Sequence, residues 1–494
     1  MEYVFKTKPF DHQLRLFNET KDLKVHGVLW EQGTGKTKPT IDICAYQFLK
    51  QNIDAMVVVA PNGVHLNWMN DELPTHLPDH VMAQTKMFAW QTGKSGTKWH
   101  AKAFDDFIPH RGLAVFCISY NAFMTKKGKA AVWRFLKRRK CFYVVDESHN
   151  VKTPGAKRTK SVVASGKYAD YRRILTGTPG DKPFDIYSQV RFLHPHLWYE
   201  HGMGSYAAFK THFADWFTAE ECKRIHGYDP GYDKLVRYKN LQECADILAS
   251  VSDRVTKDDV LDLPPKLFTK LYFEMTPKQK AMYEELRTEL ELELSSGLII
   301  DGSLAIVRLL RLQQIACGYA VADIEEPIEL CDTVNPRMKA TIEYVKELPH
   351  QVIIWCRFTQ DINQIVEALG DEARRYDGTI SADECEKNKQ DFNKGEYKYF
   401  VANSGKGSEG LTLNGAKTTV FYSNSYKFLQ RRQCEDRNHR IGQDGTDHGN
   451  EHGHGVLYVD VCAQDTVDQN IIDSLRLKYD IAAQLTGDKL KEWI

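Results

Sequence analysis

Hydrophobic and polar positions along the chain fall into two similar blocks separated by a stretch of different character. In the first block Val28-Leu29-Trp30, Met56-Val57-Val58-Val59-Ala60, Ala114-Val115-Phe116-Cys117-Ile118, Phe142-Tyr143-Val144-Val145 and Arg173-Ile174-Leu175 are short, nearly all apolar, and end in polar residues, glycine or proline. Strands covered on both faces of a parallel sheet have this pattern, because neither face meets water. The intervals between them leave room for crossover helices. The pattern restarts late in the chain. Val352-Ile353-Ile354-Trp355, Tyr399-Phe400-Val401-Ala402, Thr418-Thr419-Val420-Phe421 and Val456-Leu457-Tyr458-Val459 predict further strands, with a helix over Gln360 to Leu369.

The middle, from about His196 to Pro336, is predicted mostly as helix. Lys278 to Leu294 is rich in Glu, Leu and Lys, and Leu304 to Cys317 carries apolar residues at helical spacing. The expected fold is α/β: one parallel-sheet lobe over residues 1–195, a mainly helical insertion and linker over 196–335, and a second lobe with C-terminal helices over 336–494.

Composition narrows the class of protein. A chain of 494 residues is long enough for several cores, and 42% hydrophobic with 27% charged residues is ordinary globular composition. No apolar run is long enough for a membrane span. The start, Met1-Glu2-Tyr3-Val4-Phe5-Lys6, lacks the apolar core of a signal peptide. A soluble, intracellular protein is expected. The 11 cysteines include no Cys-x-x-Cys pair, so buried free thiols are expected rather than a zinc site. Formal net charge is +0, without the global basic excess of many nucleic-acid binders. A local basic track is still compatible with DNA binding. Lys126, Lys127, Lys129, Arg134, Lys137, Arg138, Arg139 and Lys140 form one such stretch, which taken alone is as well explained by a solvated helix face.

Chemistry enters at two places. Gln32-Gly33-Thr34-Gly35-Lys36-Thr37 follows the first strand and opens a helix. Glycines let the backbone curl so that N–H groups face an anion, and the helix N-terminus adds a positive dipole end. Lys36 is then placed for the β- and γ-phosphates and the Thr37 hydroxyl for Mg²⁺. Pro39 lies in the first helical turn, where its missing N–H costs little. The second place is Asp146-Glu147, at the end of the Phe142–Val145 strand. Asp146 is placed to hold Mg²⁺ and Glu147 to deprotonate an attacking water. Paired carboxylates on a surface loop are usually only solvated; downstream of a phosphate loop, at the end of a buried strand, they read as chemistry.

With these residues the chain resembles the superfamily-two helicase-like ATPases, and more narrowly the Swi/Snf-like DNA translocases, over nearly its whole length. Gln13, in Phe10-Asp11-His12-Gln13, resembles the adenine-reading glutamine motif. Asn67-Trp68 after Val58-Val59-Ala60-Pro61, and Ser119-Tyr120, resemble DNA-contacting motifs. Thr176 and Thr178 lie in Leu175-Thr176-Gly177-Thr178-Pro179, which resembles the motif coupling ATP state to DNA grip. Arg254-Val255-Thr256-Lys257-Asp258-Asp259-Val260 with Leu263-Pro264-Pro265-Lys266 is similar to a linker signature of the narrower family. Met275-Thr276-Pro277 and Arg311-Leu312-Gln313-Gln314-Ile315 extend it. In the second lobe Ile354 to Phe358, Asp377-Gly378 with Phe392-Asn393, and the segment bearing Ser404, Gly407, Gly410, Leu411 and Leu413 resemble the fourth and fifth motifs. Gln433, Arg437, Arg440, Gly442 and Gln443 match the sixth.

The resemblance implies two RecA-like lobes that hydrolyse ATP with Mg²⁺ and move along double-stranded DNA. Lys36, Asp146, Glu147, Gln433, Arg437 and Arg440 are its catalytic set. Asn67, Trp68, Ser119, Tyr120, Thr176, Thr178, Ser404 and Gly407 are its DNA-contact set. Arg437 and Arg440, three apart, share a helix face and suit a clamp on the γ-phosphate. Three departures stand out: Ser148 where alanine is usual, Ser408 where glycine is usual, and Thr412 where asparagine is common. Loop 448–454, with His448, His452 and His454 but no cysteine partners, reads as an exposed glycine-rich loop rather than a metal site. Bare motor length suggests a minimal bacterial or viral member, cytoplasmic, or nuclear if the cell is eukaryotic, with protein partners unspecified. Three rivals remain open: a strand-separating DNA or RNA helicase, a nucleotide-binding scaffold, and the motor subunit of a defence or restriction complex.

Overall fold

A computed structural model describes residues 3–226, 231–296, 302–320, 328–331, 334–407, 411, 413, 415–439 and 455–488. The chain divides into two compact units. The first comprises Met1–Ala214, Tyr238–Asp262 and Ile481–Lys489; the second comprises Asp215–Arg237, Leu263–Asp480 and Leu490–Ile494.

Six strands of the first block enter one sheet: β1 (Val25–Val28), β2 (Ala55–Ala60), β3 (Thr85–Ala89), β4 (Leu113–Ser119), β5 (Cys141–Asp146) and β6 (Tyr171–Leu175). A two-stranded ribbon, β7 (Ala214–Phe217) and β8 (Lys234–Tyr238), comes next along the chain. β9 (Ser252–Asp253) then joins the first sheet beside β1, giving the order β3-β4-β2-β5-β6-β1-β9 with every pairing parallel. Residues alternate between its faces. Met56, Val58, Val115, Cys117, Phe142 and Val144 pack on one side, while Val57, Val59, Phe116, Ile118, Tyr143 and Val145 are buried on the other. This explains the unbroken apolar runs. Arg173 on β6 is fully buried and donates from Nη2 to the carbonyls of Thr20 (3.0 Å) and Leu23 (2.8 Å). It thereby ties the end of the first helix, Asp11–Thr20, to the sheet.

The second unit holds β10 (Lys266–Phe273), the small antiparallel pair β11 (Tyr319–Ala320) and β12 (Ile328–Glu329), then β13 (Val352–Cys356), β14 (Ala373–Tyr376), β15 (Tyr399–Asn403), β16 (Thr418–Phe421) and β17 (Val456–Ala463). Its main sheet runs β10-β17-β16-β13-β15-β14, again all parallel. On β13, Val352, Ile354 and Cys356 enter one core while Ile353 and Trp355 enter the other. The central stretch supplies the long helices Pro277–Ser296 and Gly302–Ala316, as its periodicity predicts. It also supplies a strand to each sheet, β9 and β10, where helix was expected. β10 lies at a sheet edge and alternates half-buried with exposed positions along much of its length, so it lacks the apolar run that marks the central strands. Only pairing with β17 reveals it.

Buried ionic contacts fix the second unit. Arg337 follows the Asn335 cap and Pro336 at the start of helix Pro336–Glu347. It has no exposed surface. Its Nη2 donates to Asp468 Oδ2 (2.6 Å) and to the Val461 carbonyl (2.9 Å), and the guanidinium lies over the Phe273 and Tyr422 rings. Removing one partner of such a pair strands the other charge away from water, which costs about 3–5 kcal/mol. Arg337→Met should therefore lower the unfolding free energy of the second unit by that order in chemical denaturation. Wild-type stability in the variant would show that the pair is dispensable.

Candidate functional site

The carboxyl ends of β1, β2, β4, β5 and β6 emerge along one edge of the first sheet, where the connecting loops of a parallel α/β sheet can converge on a ligand. The glycine loop expected to bind phosphate leaves β1. Gly33 and Gly35 both take positive φ, +84° and +78°, which their lack of a side chain permits. At Gly35 a Cβ would also sit 2.4 Å from Gln13 Nε2. Gln13 is buried and donates to the Gly35 carbonyl (3.0 Å), while its Oε1 accepts from Phe10 N (2.9 Å). His12 Nε2 lies 2.8 Å from the Thr34 carbonyl. Two adjacent residues of one helix thus hold two successive carbonyls of the loop. Thr34 Oγ1 and Lys36 Nζ both donate to the Glu31 carbonyl, at 2.8 and 3.2 Å. Lys36 caps helix Thr37–Leu49, and Pro39 lies in its first turn as expected.

Asp146 ends β5 and is almost fully buried. Its Oδ2 accepts from Trp68 Nε1 (2.8 Å) and its Oδ1 from Glu147 N (2.9 Å). Burial first, then the neighbouring Glu147, raise its carboxyl above the usual range; the Trp68 bond and the Lys36 cation oppose them. Glu147 adopts a left-handed backbone, φ +49° and ψ +56°. A residue with a Cβ pays roughly 1–2 kcal/mol for that conformation, and strain of this kind concentrates where a side chain must be aimed. Glu147 Oε2 lies 3.3 Å from His149 Nδ1 and accepts from Thr176 Oγ1 (3.5 Å), and the same His149 nitrogen is 3.2 Å from Thr176 Oγ1. The carboxylate turn and the Thr176 segment therefore share one polar cluster.

The donor set suits a hard cation. Asp146 and Thr37 offer carboxylate and hydroxyl oxygens, and Mg²⁺ takes few protein ligands, completing its shell with water and phosphate oxygens. Among the described residues no three His, Cys, Asp or Glu side chains converge as a cage.

Of the side chains expected to meet DNA in this unit, Trp68, Ser119, Tyr120 and Thr176 are buried. Trp68 orients Asp146, as above. Ser119 Oγ caps the helix Tyr120–Met124 through Ala122 N, and the Tyr120 hydroxyl donates to the Asp146 carbonyl (2.6 Å). Asn67 is exposed and Thr178 half-buried. The basic stretch also divides. Lys126, Lys127, Lys129, Lys137, Arg138 and Lys140 are exposed, while Arg134 pairs with Asp105. Arg139 is spent internally, on Asp54 and on the carbonyls of Ile108, His110 and Gly112.

Arg254 has a role that its sequence context does not disclose. Its Nη1 donates to the carbonyls of Leu29 and Gly177, and its Nε and Nη2 form a fork on Asp488, at 2.9 and 2.6 Å. One guanidinium so joins the strand before the phosphate loop, the Thr176–Pro179 segment and the C-terminal end of the unit. Only the fold brings those positions together.

In the second unit, Gln433 sits on helix Phe428–Glu435, but Arg437 is buried in the turn beyond its end, so the helix face expected to carry Arg437 with Arg440 does not reach it. Arg437 donates from Nε to the Gln433 carbonyl (3.0 Å) and from Nη1 to the Leu411 carbonyl (2.9 Å). Ser404 Oγ accepts from Gln430 (2.7 Å). A Cβ on Gly407 would lie 2.2 Å from the Trp355 ring, so only glycine fits there. Arg440, Gly410, Gly442, Gln443 and the histidine loop 448–454 lie outside the described residues, as do the departures Ser408 and Thr412.

A family model described as an SNF2-related domain matches residues 16–318, and one described as a helicase conserved C-terminal domain matches residues 336–442. A probable ATP-dependent DNA helicase of Arabidopsis thaliana, CHR12, is 26% identical over 455 residues, covering 87% of this chain and 37% of its own length. The transcription regulatory protein SNF2 of Saccharomyces cerevisiae is 24% identical over 479 residues, covering 89% of this chain and 25% of its own. This chain thus spans well under half the length of these curated relatives. The SWI2/SNF2 ATPase core of Sulfolobus solfataricus, solved in complex with dsDNA, aligns over 100% of both chains with 22% identity and a TM-score of 0.40.

The loop geometry yields a direct test. Gly35→Ala forces a left-handed residue with a Cβ against Gln13, a penalty of roughly 1–3 kcal/mol. It should weaken a fluorescent ATP analogue about ten-fold or more in an equilibrium titration. Unchanged affinity would mean that the loop does not hold the nucleotide.

Proposed function

Because this chain belongs to the SNF2-related family, we propose that it is an ATP-dependent double-stranded DNA translocase, serving DNA remodelling, repair, recombination or replication. The observation that carries the reading is the Asp146–Glu147 turn at the end of β5. There Trp68 holds one carboxylate, and His149 and Thr176 hold the other, on the sheet edge that also carries the Gly33–Lys36 loop.

In this reading the loop N–H groups and Lys36 bind the β- and γ-phosphates of ATP, and Gln13, assigned by resemblance to the adenine, also bonds the Gly35 carbonyl of the loop. Glu147 accepts a proton from the attacking water, and His149 and Thr176 keep its carboxylate aimed. Thr37 and Asp146 are the residues that would hold Mg²⁺, which when bound polarises the phosphoryl group and offsets its charge. Gln433, Arg437 and Arg440 are assigned by resemblance to the γ-phosphate. Fixed guanidinium forks suit that charge, and such a residue typically contributes on the order of 10³- to 10⁵-fold in rate. Whereas Ser404 and Gly407, expected to share that role, are buried against Gln430 and Trp355, Asn67 and Thr178 are the candidates for contact with the DNA backbone. Such contacts are sequence-independent and salt-sensitive. The location follows from the substrate: the compartment that holds duplex DNA, nuclear if the cell is eukaryotic. No helix among the described residues is long and apolar enough to cross a membrane.

Glu147→Gln should bind ATP and lose about 10²- to 10⁴-fold of its DNA-stimulated hydrolysis in a phosphate-release assay. Hydrolysis that no duplex DNA stimulates would favour a nucleotide-binding scaffold instead. On linear duplex the wild-type protein should displace a third strand from a triplex while leaving ordinary forked and blunt duplexes paired. Efficient unwinding of those duplexes would make it a strand-separating helicase.

A further inference from the structure

Ser148 stands immediately after the carboxylate pair, at a position where alanine is usual in the family the chain resembles, and it is fully buried. A buried hydroxyl needs a partner. Here Ser148 Oγ donates to Gln189 Oε1 at 2.6 Å. Gln189 is itself buried, on the helix Tyr187–Leu193. Its Nε2 donates to the carbonyls of Pro179 (2.6 Å) and Asp185 (2.8 Å). Its acceptor oxygen and both of its amide hydrogens are therefore engaged.

The consequence is a rigid strut. At one end is the turn that aims Glu147; at the other is Pro179, the last residue of Leu175-Thr176-Gly177-Thr178-Pro179. These two segments already meet at the ligand-facing side, through Glu147, His149 and Thr176. The Ser148–Gln189–Pro179 connection is a second tie between them, and it is shielded from solvent. The two segments leave adjacent paired strands, with Asp146 opposite Leu175, and the buried connection holds them together beyond the ends of that ladder. Lys152 anchors the same region, with Nζ 2.8 Å from Asp185 Oδ2 and 3.2 Å from Asp181 Oδ1. The Asp185 side chain in turn accepts from Asp181 N (3.2 Å).

We propose that Gln189 is a positioning residue for ATP hydrolysis: through Ser148 it locks the Glu147 turn to the Thr176–Pro179 segment, so that the two move as one body. The inference rests on the reading of this site as a DNA-stimulated ATPase. Both side chains are buried and bonded to each other and to the Pro179 and Asp185 carbonyls, so the effect appears in turnover and its response to DNA, not in nucleotide affinity.

The test compares Ser148→Ala, Gln189→Leu and the double variant in the full chain, measuring steady-state ATP hydrolysis with and without duplex DNA. Losing one buried hydrogen bond and leaving its partner unmatched corresponds to an effect of roughly five- to a hundred-fold. DNA-stimulated kcat is expected to fall by about that factor, with the KM for ATP within about two-fold of wild type. Because the two side chains share one bond, the double variant should fall short of the product of the single effects. Ser148→Ala removes only a hydroxyl oxygen, so it reports even if Gln189→Leu fails to fold. A variant that melts earlier but keeps wild-type kcat and DNA stimulation per folded molecule would give the strut a purely structural role and overturn the proposal. A wild-type protein without DNA-stimulated hydrolysis would overturn the ATPase reading, and this inference with it. Wild-type hydrolysis with unaltered variants would overturn this inference alone.

Discussion

A carboxylate held almost out of water at the end of a buried strand governs the arrangement of the first unit. Asp146 ends β5, at the centre of a seven-stranded sheet. Such a group is costly to bury unless its oxygens are bonded and opposite charge lies near. Trp68 supplies an indole N–H, Glu147 a backbone N–H, and Lys36 a cation. These three groups arrive from the ends of three different strands. One carboxylate is thus met by groups from the loops after β1, β2 and β5, which the parallel sheet delivers to the same edge.

Around that point the polar groups form layers rather than a single shell. His12 and Gln13 hold carbonyls of the phosphate loop from behind. His149 and Thr176 hold the Glu147 carboxylate. Arg254 links the Leu29 and Gly177 carbonyls to Asp488, far along the chain. The left-handed backbone of Glu147 persists because so many contacts determine the turn on either side of it. The second unit follows the same principle with different chemistry: Arg337 ties its helix to Asp468 at the start of helix Val467–Thr486, and Arg431 ties helix Phe428–Glu435 to Asp460 on β17.

Much of this was legible in the sequence, for identifiable reasons. Central strands of a parallel sheet lose both faces to the core, so β2, β4, β5, β13 and β15 announce themselves as unbroken apolar runs. Edge strands do not. β3, β10 and β14 keep part of their surface and carry Lys86, Lys266, Lys270, Arg374 and Arg375, so no apolar run marks them. The glycine loop after β1 and the carboxylate pair at the end of β5 were legible because each is local, a few consecutive residues at a strand end. Side-chain roles were less so. Trp68 and Tyr120, expected at DNA, are turned inward onto Asp146. An aromatic residue beside an exposed Asn67 gives no local sign of which way it faces.

The sequence by itself determined which segments bury their backbones in sheets and where a glycine turn before a helix and a pair of carboxylates at a strand end would lie. Those properties depend on residue type and on spacing within a few positions, which the chain carries wherever it is placed. Only the tertiary structure decided which distant groups satisfy each other: Ser148 with Gln189, Arg254 with Asp488, Arg139 with carbonyls instead of a ligand. A hydrogen bond acts over about 3 Å in space whatever the separation along the chain. No periodicity records it, and it exists only once the strands have taken their order in the sheet.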